Sequence, residues 1–311
     1  MTGRIGVLCG GPSREREISL RSGQAVHEAL LSLGLESIKV TLSQDPERIA
    51  DEIRAAGISC AFVALHGWFG EDGTIQSILE QMQIPYTGSG VEACRYGMDK
   101  VFSRRRWSAA ALPIARWALA DSDSAPRRAY SIGFPLVIKP VSEGSSLGAN
   151  IVDSETELAP AVEEAASFGK GVLLEEYLPG AELTVGILRD EPLPVVQVVP
   201  KRRFYDYEAK YTHGLTDYRA PAPLPDTARD LVQQVALRAH SVLGCRGFSR
   251  VDLILVPDRG PVLLELNPIP GMTQSSLLPK AAAAAGISFP ELCRQMLASA
   301  ALPSQPVGCS R

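Results

Sequence analysis

"SRVDLILVPDRGPVLLELNP" (residues 249–268) decides how the second half of the chain folds. Two runs rich in Val, Ile and Leu flank Pro257-Asp258-Arg259-Gly260, a turn-forming tetrad. So short a connection joins antiparallel strands, because a parallel pair needs a crossover of a dozen residues or more. With Pro257 and Gly260 flanking a two-residue turn, Asp252 lies directly opposite Glu265. Alternation along each strand then puts Arg250 and Asn267 on the same face. Opposed carboxylates repel unless something neutralises them. A hard divalent cation would do so, sharing carboxylate, amide and phosphate oxygens, with Arg250 beside it as an anion clamp. The alternative is a solvated strand end with the register displaced by one residue. The strongly apolar character of both runs favours the metal.

Upstream the pattern changes. Strands at 4–9, 36–42 and 60–65 alternate with helices at 17–33, 46–56 and 73–82. Such alternation predicts a parallel sheet with helices on its faces, whose ligand edge lies beyond the strand C-termini. "GGPSRERE" (10–17) and "HGWFGEDG" (66–73) fall at that edge. Helical segments at 91–110 follow, then strands at 134–140, 148–152, 171–178 and 181–188 around a single helix, 155–167. The rest predicts a strand at 193–200, the helix 226–243, the hairpin, and helices at 277–285 and 289–300. Between them "FYDYEAKYTHGLTDY" (204–218) has neither a helical nor a strand period. The expected units are 1–97, 98–183 and 184–311, ending in a polar tail expected to fray.

Composition excludes several classes. The chain has 311 residues, 45% hydrophobic and 21% charged, with a net charge of −4, so it is globular and carries no basic footprint for nucleic acid. The arginines of "FSRRRW" (102–107) read as a solvated helix face. Six cysteines show no CxxC spacing and lie largely in apolar runs, as reduced thiols do. No signal peptide opens the chain, and no apolar run approaches the ~18 residues of a membrane span. The expectation is a soluble cytoplasmic protein without membrane or nucleic-acid partners.

Two further stretches carry chemistry. In "FPLVIKPVSEGSSLGANIV" (134–152) a strand bearing Lys139 leads through a Gly/Ser loop into another strand. This is neither a P-loop nor a Rossmann fingerprint. It has the form of a flap over nucleotide phosphates with a lysine pairing them. "EEYLPGAE" (175–182) places acids at the end of a buried strand, suited to an adenine amino group or a ribose, although Pro179-Gly180 also explains the corner as a turn.

Taken in order, "GGPSREREISLRSG", "HGWFGEDGTIQ", "PYTGSG" with "MDK", "IKPVSEGSSLG", "FYDYEAKY", "SRVD" and "LELNPIPGMTQSSL" resemble the D-alanine–D-alanine ligases of the ATP-grasp superfamily, over residues 4–300. The resemblance implies a three-domain ATP-grasp architecture, α/β and α+β, with an N-terminal parallel-sheet (pre-ATP-grasp) domain. It implies ligation of two D-alanines for peptidoglycan precursor synthesis, through an acyl phosphate made from ATP. Glu15 would hold the first substrate's ammonium in a triad with Ser145 and Tyr211, with His66 nearby. Lys100, Lys139 and Lys210 would contact the phosphates. Glu175, Glu176 and Glu182 would contact adenine and ribose, and Asp252, Glu265 and Asn267 would hold magnesium. Arg250 and the Gly271 amide would stabilise the tetrahedral intermediate. Ser276 and Leu277, at a helix start, would bind the second carboxylate. Asp72 is assigned only a helix cap. Two Mg2+ or Mn2+ ions, room for a monovalent cation, and a homodimer complete what is implied. The stretch 204–218 becomes a lid, with Lys210 reaching phosphate and Tyr211 the Glu15–Ser145 end.

The sequence departs from the family pattern at 121–133, which is short for the family and reads as a trimmed surface loop, and at Pro268, where most relatives have threonine. Proline removes a backbone donor and fixes φ, which bears on local phosphate and substrate geometry. Two alternatives stand beside D-alanine ligation. One is a related ATP-grasp carboxylate–amine ligase taking D-serine, D-lactate or another acid as second substrate, with "YEAKY" arguing against the lactate case. The other is a catalytically silent ATP-binding protein, against which the retained Glu15, Ser145, Lys210, Tyr211 and Arg250 argue.

Overall fold

The computed structural model describes residues 3–141, 144, 147–169, 171–202, 212 and 214–302. Ser145, Lys210, Tyr211, most of the expected lid and the polar tail after residue 302 lie outside the described residues.

The first sheet has β1 (Ile5–Gly10) between β2 (Ser37–Leu42) and β3 (Cys60–Val63), all parallel. All six β1 residues are buried, as a strand covered on both faces requires. Helices α1 (Arg16–Ser32), α2 (Pro46–Ala56) and α3 (Thr74–Gln81) alternate with these strands. Asp45 starts α2 by accepting the Glu47 amide (3.1 Å), with Pro46 in the first turn. Helix α3 begins one residue later than expected, with Gly73 rather than Asp72 as its N-cap, and the Asp72 carboxylate accepts the Thr74 amide (3.0 Å) from just ahead of it.

Helices α4 (Val91–Met98) and α5 (Lys100–Ala109) are separate, because Asp99 is extended between them and caps α5 through the Phe102 amide (2.9 Å). The second sheet is antiparallel, in the order β4 (Trp117–Ala120), β7 (Val172–Glu176), β5 (Leu136–Pro140), β6 (Asn150–Val152). Two helices pack on it, α6 (Ala125–Ile132) and α7 (Glu155–Ala166), so residues 121–133 are not the loop expected from sequence. Ala125, Ala129 and Ile132 recur at helical spacing and are buried, but the Ser/Asp/Pro lead-in masks so short a period.

The third sheet runs β11 (Thr216–Arg219), β10 (Val196–Pro200), β8 (Ala181–Leu188), β12 (Phe248–Val256), β13 (Gly260–Asn267), with β9 (Glu191–Pro192) paired to β8. Helix α8 (Asp226–Val242) covers one face with Val232, Val235, Ala236 and Ala239, where Trp107 joins the core. Against the other face α9 (Leu277–Ala284) and α10 (Phe289–Ala298) share a core with β1, β3 and α1. Among the described residues no helix is long and apolar enough to cross a membrane.

The opening hairpin differs instructively from its expectation. Val256 pairs with Gly260, so the loop has three residues rather than two, with positive φ at Asp258. The register then shifts between Asp252 and Leu253, where Leu264 is inserted as a β-bulge. The bulge cancels the longer loop. Asp252 therefore does face Glu265, and Arg250 faces Asn267.

Candidate active site

Two clefts adjoin along one face of the β12–β13 hairpin. The cross-strand pair Arg250 and Asn267 lines the first, about 200 Å³ in volume, and the next pair, Asp252 and Glu265, lines the second, about 310 Å³. Two successive same-face pairs of one ladder thus bring the clefts into register.

Glu15, His66, Glu71, Gly271, Ser276 and Leu277 also line the first cleft. Glu15 is the N-cap residue of α1, where the helix dipole favours a carboxylate. Its carboxylate lies close to Gly67 and Gly144: a Cβ on Gly67, which has φ 70°, would sit 2.7 Å from Glu15 Oε2. His66 is buried, with Nε2 3.0 Å from Ser22 Oγ and Nδ1 3.4 Å from Glu71 Oε1. Ser22 Oγ also accepts the Met272 amide (3.3 Å), which ties His66 to the loop carrying Gly271. Glu71 was missed by sequence reasoning. Burial pushes its carboxyl pKa up, the His66 hydrogen bond pulls it down, and the nearby Glu15 charge pushes it up again. Its signal was the compact "HGWFGEDG", where positive φ at Gly67 and Phe69 folds Glu71 back onto His66. Ser276 is the N-cap residue of α9 and its hydroxyl accepts the Thr273 amide (3.1 Å), so the first-turn amides of α9 start at the cleft wall.

In the second cleft, Asp252 Oδ1 accepts from Thr184 Oγ1 (2.6 Å) and from Arg250 Nε (2.9 Å), while Oδ2 accepts from Arg250 Nη2 (2.8 Å) and Asn267 Nδ2 (3.3 Å). Arg250, expected as an anion clamp, is therefore bidentate on Asp252. Asn267 stays on the shared face despite Pro268. Two facing carboxylates and an amide are a hard oxygen donor set, fitting Mg2+ rather than a softer ion. Among the described residues no three His, Cys, Asp or Glu side chains gather as a metal cluster.

Lys100, Lys139, Glu175, Glu176 and Glu182 complete the second cleft. Burial lowers the Lys100 pKa to about 8, against the opposing pull of Glu265. Burial likewise lowers Lys139, whose ammonium is paired with Glu175. Burial tends to raise the Glu175 carboxyl, but the charges of Arg104 and Lys139 outweigh it and bring the pKa down to about 2. Glu176, next along the strand, takes Arg116 Nε (2.6 Å) and the guanidinium of Arg259. Glu182 lies on β8 opposite Val198, on the cleft wall.

The run of arginines at 104–106 is not uniformly solvated. Arg105 and Arg106 are exposed, but Arg104 is buried against Glu175, because the helical period puts it on the inner face of α5 with Lys100 and Trp107.

The sequence matches the family models for the D-ala D-ala ligase N-terminus over residues 37–89 and the D-ala D-ala ligase C-terminus over residues 107–298. It is 47% identical over 304 residues to a D-alanine–D-alanine ligase of Syntrophotalea carbinolica, covering 96% of both chains. Among solved structures, the Bacillus anthracis D-alanine–D-alanine ligase complexed with ATP superposes with a TM-score of 0.84 at 32% identity, covering 96% of this chain and 97% of that one. The VanG D-Ala:D-Ser ligase of Enterococcus faecalis superposes with a TM-score of 0.82 at 28% identity, covering 96% and 99%. The expected α/β and α+β ATP-grasp architecture is the one observed.

Proposed function

The chain belongs to the D-alanine–D-alanine ligase family, and on that premise we propose that it joins two D-alanines, with cleavage of ATP to ADP and phosphate, for peptidoglycan precursor synthesis. The observation that carries this reading is the shared hairpin face. It sets a lysine- and carboxylate-lined cleft beside a small polar one, as phosphoryl transfer between a nucleotide and a small acid requires.

ATP occupies the second cleft, its phosphates paired by Lys100 and Lys139, with Lys210 reaching them from the lid. Glu175, Glu176 and Glu182 line the base and ribose end. Asp252, Glu265 and Asn267 would hold Mg2+, or Mn2+ in its place, and the ion would supply positive charge to offset that of the phosphates. In the first cleft Glu15, supported by Ser145 and Tyr211, holds the ammonium of the first D-alanine beside His66. Its carboxylate oxygen bonds to the γ-phosphorus as the β–γ bridging P–O bond breaks, giving acyl phosphate and ADP. The amine of the second D-alanine, having lost a proton, attacks the carbonyl carbon, and phosphate leaves with the original carboxylate oxygen. Arg250 and the Gly271 amide face the negative charge that develops on the carbonyl oxygen. The second carboxylate sits at Ser276 and Leu277, at the N-terminus of α9.

The units 1–97, 98–183 and 184–311, a homodimer, a monovalent-cation requirement and a cytoplasmic site of action belong to the same reading. The likeness to a D-Ala:D-Ser ligase supports one second reading, D-serine as the attacking amine. The purified protein with ATP, Mg2+ and D-alanine should release phosphate and form the dipeptide, faster than with D-serine, D-lactate or L-alanine beside D-alanine. No D-alanine-dependent phosphate would contradict the proposal, and dominance of D-serine would move it to the second reading.

A further inference from the structure

Arg104 has been given no role in the chemistry, yet it touches the framework of the second cleft at three points. It is 2% exposed, and its planar fork points three ways. Nε donates to Glu175 on β7. Nη1 donates to the Lys100 carbonyl at the start of α5 (3.1 Å). Nη2 donates to the Leu264 carbonyl on β13 (2.7 Å). Leu264 is the bulge residue next to Glu265, and a bulged residue falls out of the regular ladder, so its carbonyl needs another donor. The second oxygen of Glu175 holds the Lys139 ammonium. One guanidinium thus connects the segments that carry Lys100, Lys139 and Glu265.

Charge counting shows what this arrangement does. Glu175 is one buried negative charge between two cations, so the group of three carries a net positive charge toward the cleft. Without the guanidinium, Glu175 and Lys139 would close into a neutral buried pair, held together strongly because a lone buried carboxylate is costly. The Lys139 charge would then be consumed by the protein instead of being presented to a ligand.

We propose that Arg104 is a positioning residue for the nucleotide cleft: by neutralising Glu175 it leaves the charge of Lys139 for the phosphate chain, and by bonding Leu264 it fixes the bulge that places Glu265. The inference rests on the reading of this cleft as the ATP site. The low pKa of Glu175 agrees with a carboxylate already satisfied by its two cations. Lysine would supply the charge but not three donors in one plane.

The test compares ADP with adenosine, which lacks the phosphates, by titration calorimetry on the whole chain. Arg104→Met keeps the aliphatic bulk and removes the charge. It should weaken ADP about tenfold or more, the size of a charge-assisted hydrogen bond, while adenosine stays within about twofold. The double variant Arg104→Met with Glu175→Gln should recover the preference for ADP over adenosine about fivefold over the single one, because Lys139 is released while a change at the base end affects both ligands alike. Equal weakening of ADP and adenosine, or a double variant no better than the single, would overturn the proposal. Should the methionine variant fail to fold, Arg104→Lys keeps the charge but loses the fork, and should weaken ADP about threefold while adenosine stays within about twofold. Equal weakening of the two ligands there overturns the proposal. Wild-type protein that binds no ADP would instead remove the reading of the cleft itself, and this inference with it.

Discussion

Burial makes the Lys100 ammonium sensitive to pH in a range where enzymes work. Its pKa is lowered to about 8, so it is charged below that value and neutral above it. If it pairs phosphate, ADP affinity of the free protein should be level up to about pH 7 and fall as pH rises through 8. In Lys100→Gln the wild-type limb near pH 8 should disappear. Calorimetric titration of ADP between pH 6.5 and 9.5 checks this, and an affinity level to pH 9 in the wild type would contradict it. Residues differed in how far the sequence revealed them. The opposition of Asp252 and Glu265 was legible because alternation and a proline–glycine turn leave few registers. It came out right although the loop is one residue longer than read, since the bulge at Leu264 restores the phase. That bulge was hidden within the apolar run Val262-Leu263-Leu264. Arg104 was illegible for a different reason: three consecutive arginines look alike, and only the helix phase, set by tertiary packing, decides which one turns inward.

Elements with a long period or a distinct cap were read within a residue or two. Helix α2, with Asp45, Pro46 and a terminal Gly57, matches its expected limits. Helix α6 escaped because eight residues give barely two turns of pattern. The helical segments expected at 91–110 divide at Asp99, whose extended backbone ends α4 and whose side chain caps α5. Connections between elements carry their own constraint at Gly180, in the corner between β7 and β8. A Cβ there would lie 2.3 Å from the Leu255 carbonyl of β12, which is backbone and cannot swing away. Gly180→Ala should therefore push this corner, with Glu176 and Glu182 on either side, off the hairpin. The expected cost is about 1–3 kcal/mol in chemical denaturation. Unchanged stability would show that the corner does not rest on β12 as described.

At the scale of the whole molecule, the first and third sheets share one core. Val7 and Phe62 meet Leu278, Ala281 and Met296 in it, so the residues at the head of α1 are held against the loop before α9. Alternation revealed the parallel sheet, but the insertion of β8 beside β12 could not be read, because pairing between strands some 60 residues apart leaves no local mark. That pairing builds the second cleft and puts Thr184 against Asp252. The central claim is that a carboxylate oxygen in the first cleft attacks a phosphorus in the second. It is tested most directly with D-alanine carrying 18O in its carboxylate, in a reaction with ATP and Mg2+, by mass analysis of the released phosphate. Transfer of one 18O into each phosphate, with ADP as co-product, is the predicted result. Unlabelled phosphate, or label in AMP with release of pyrophosphate, would contradict the account.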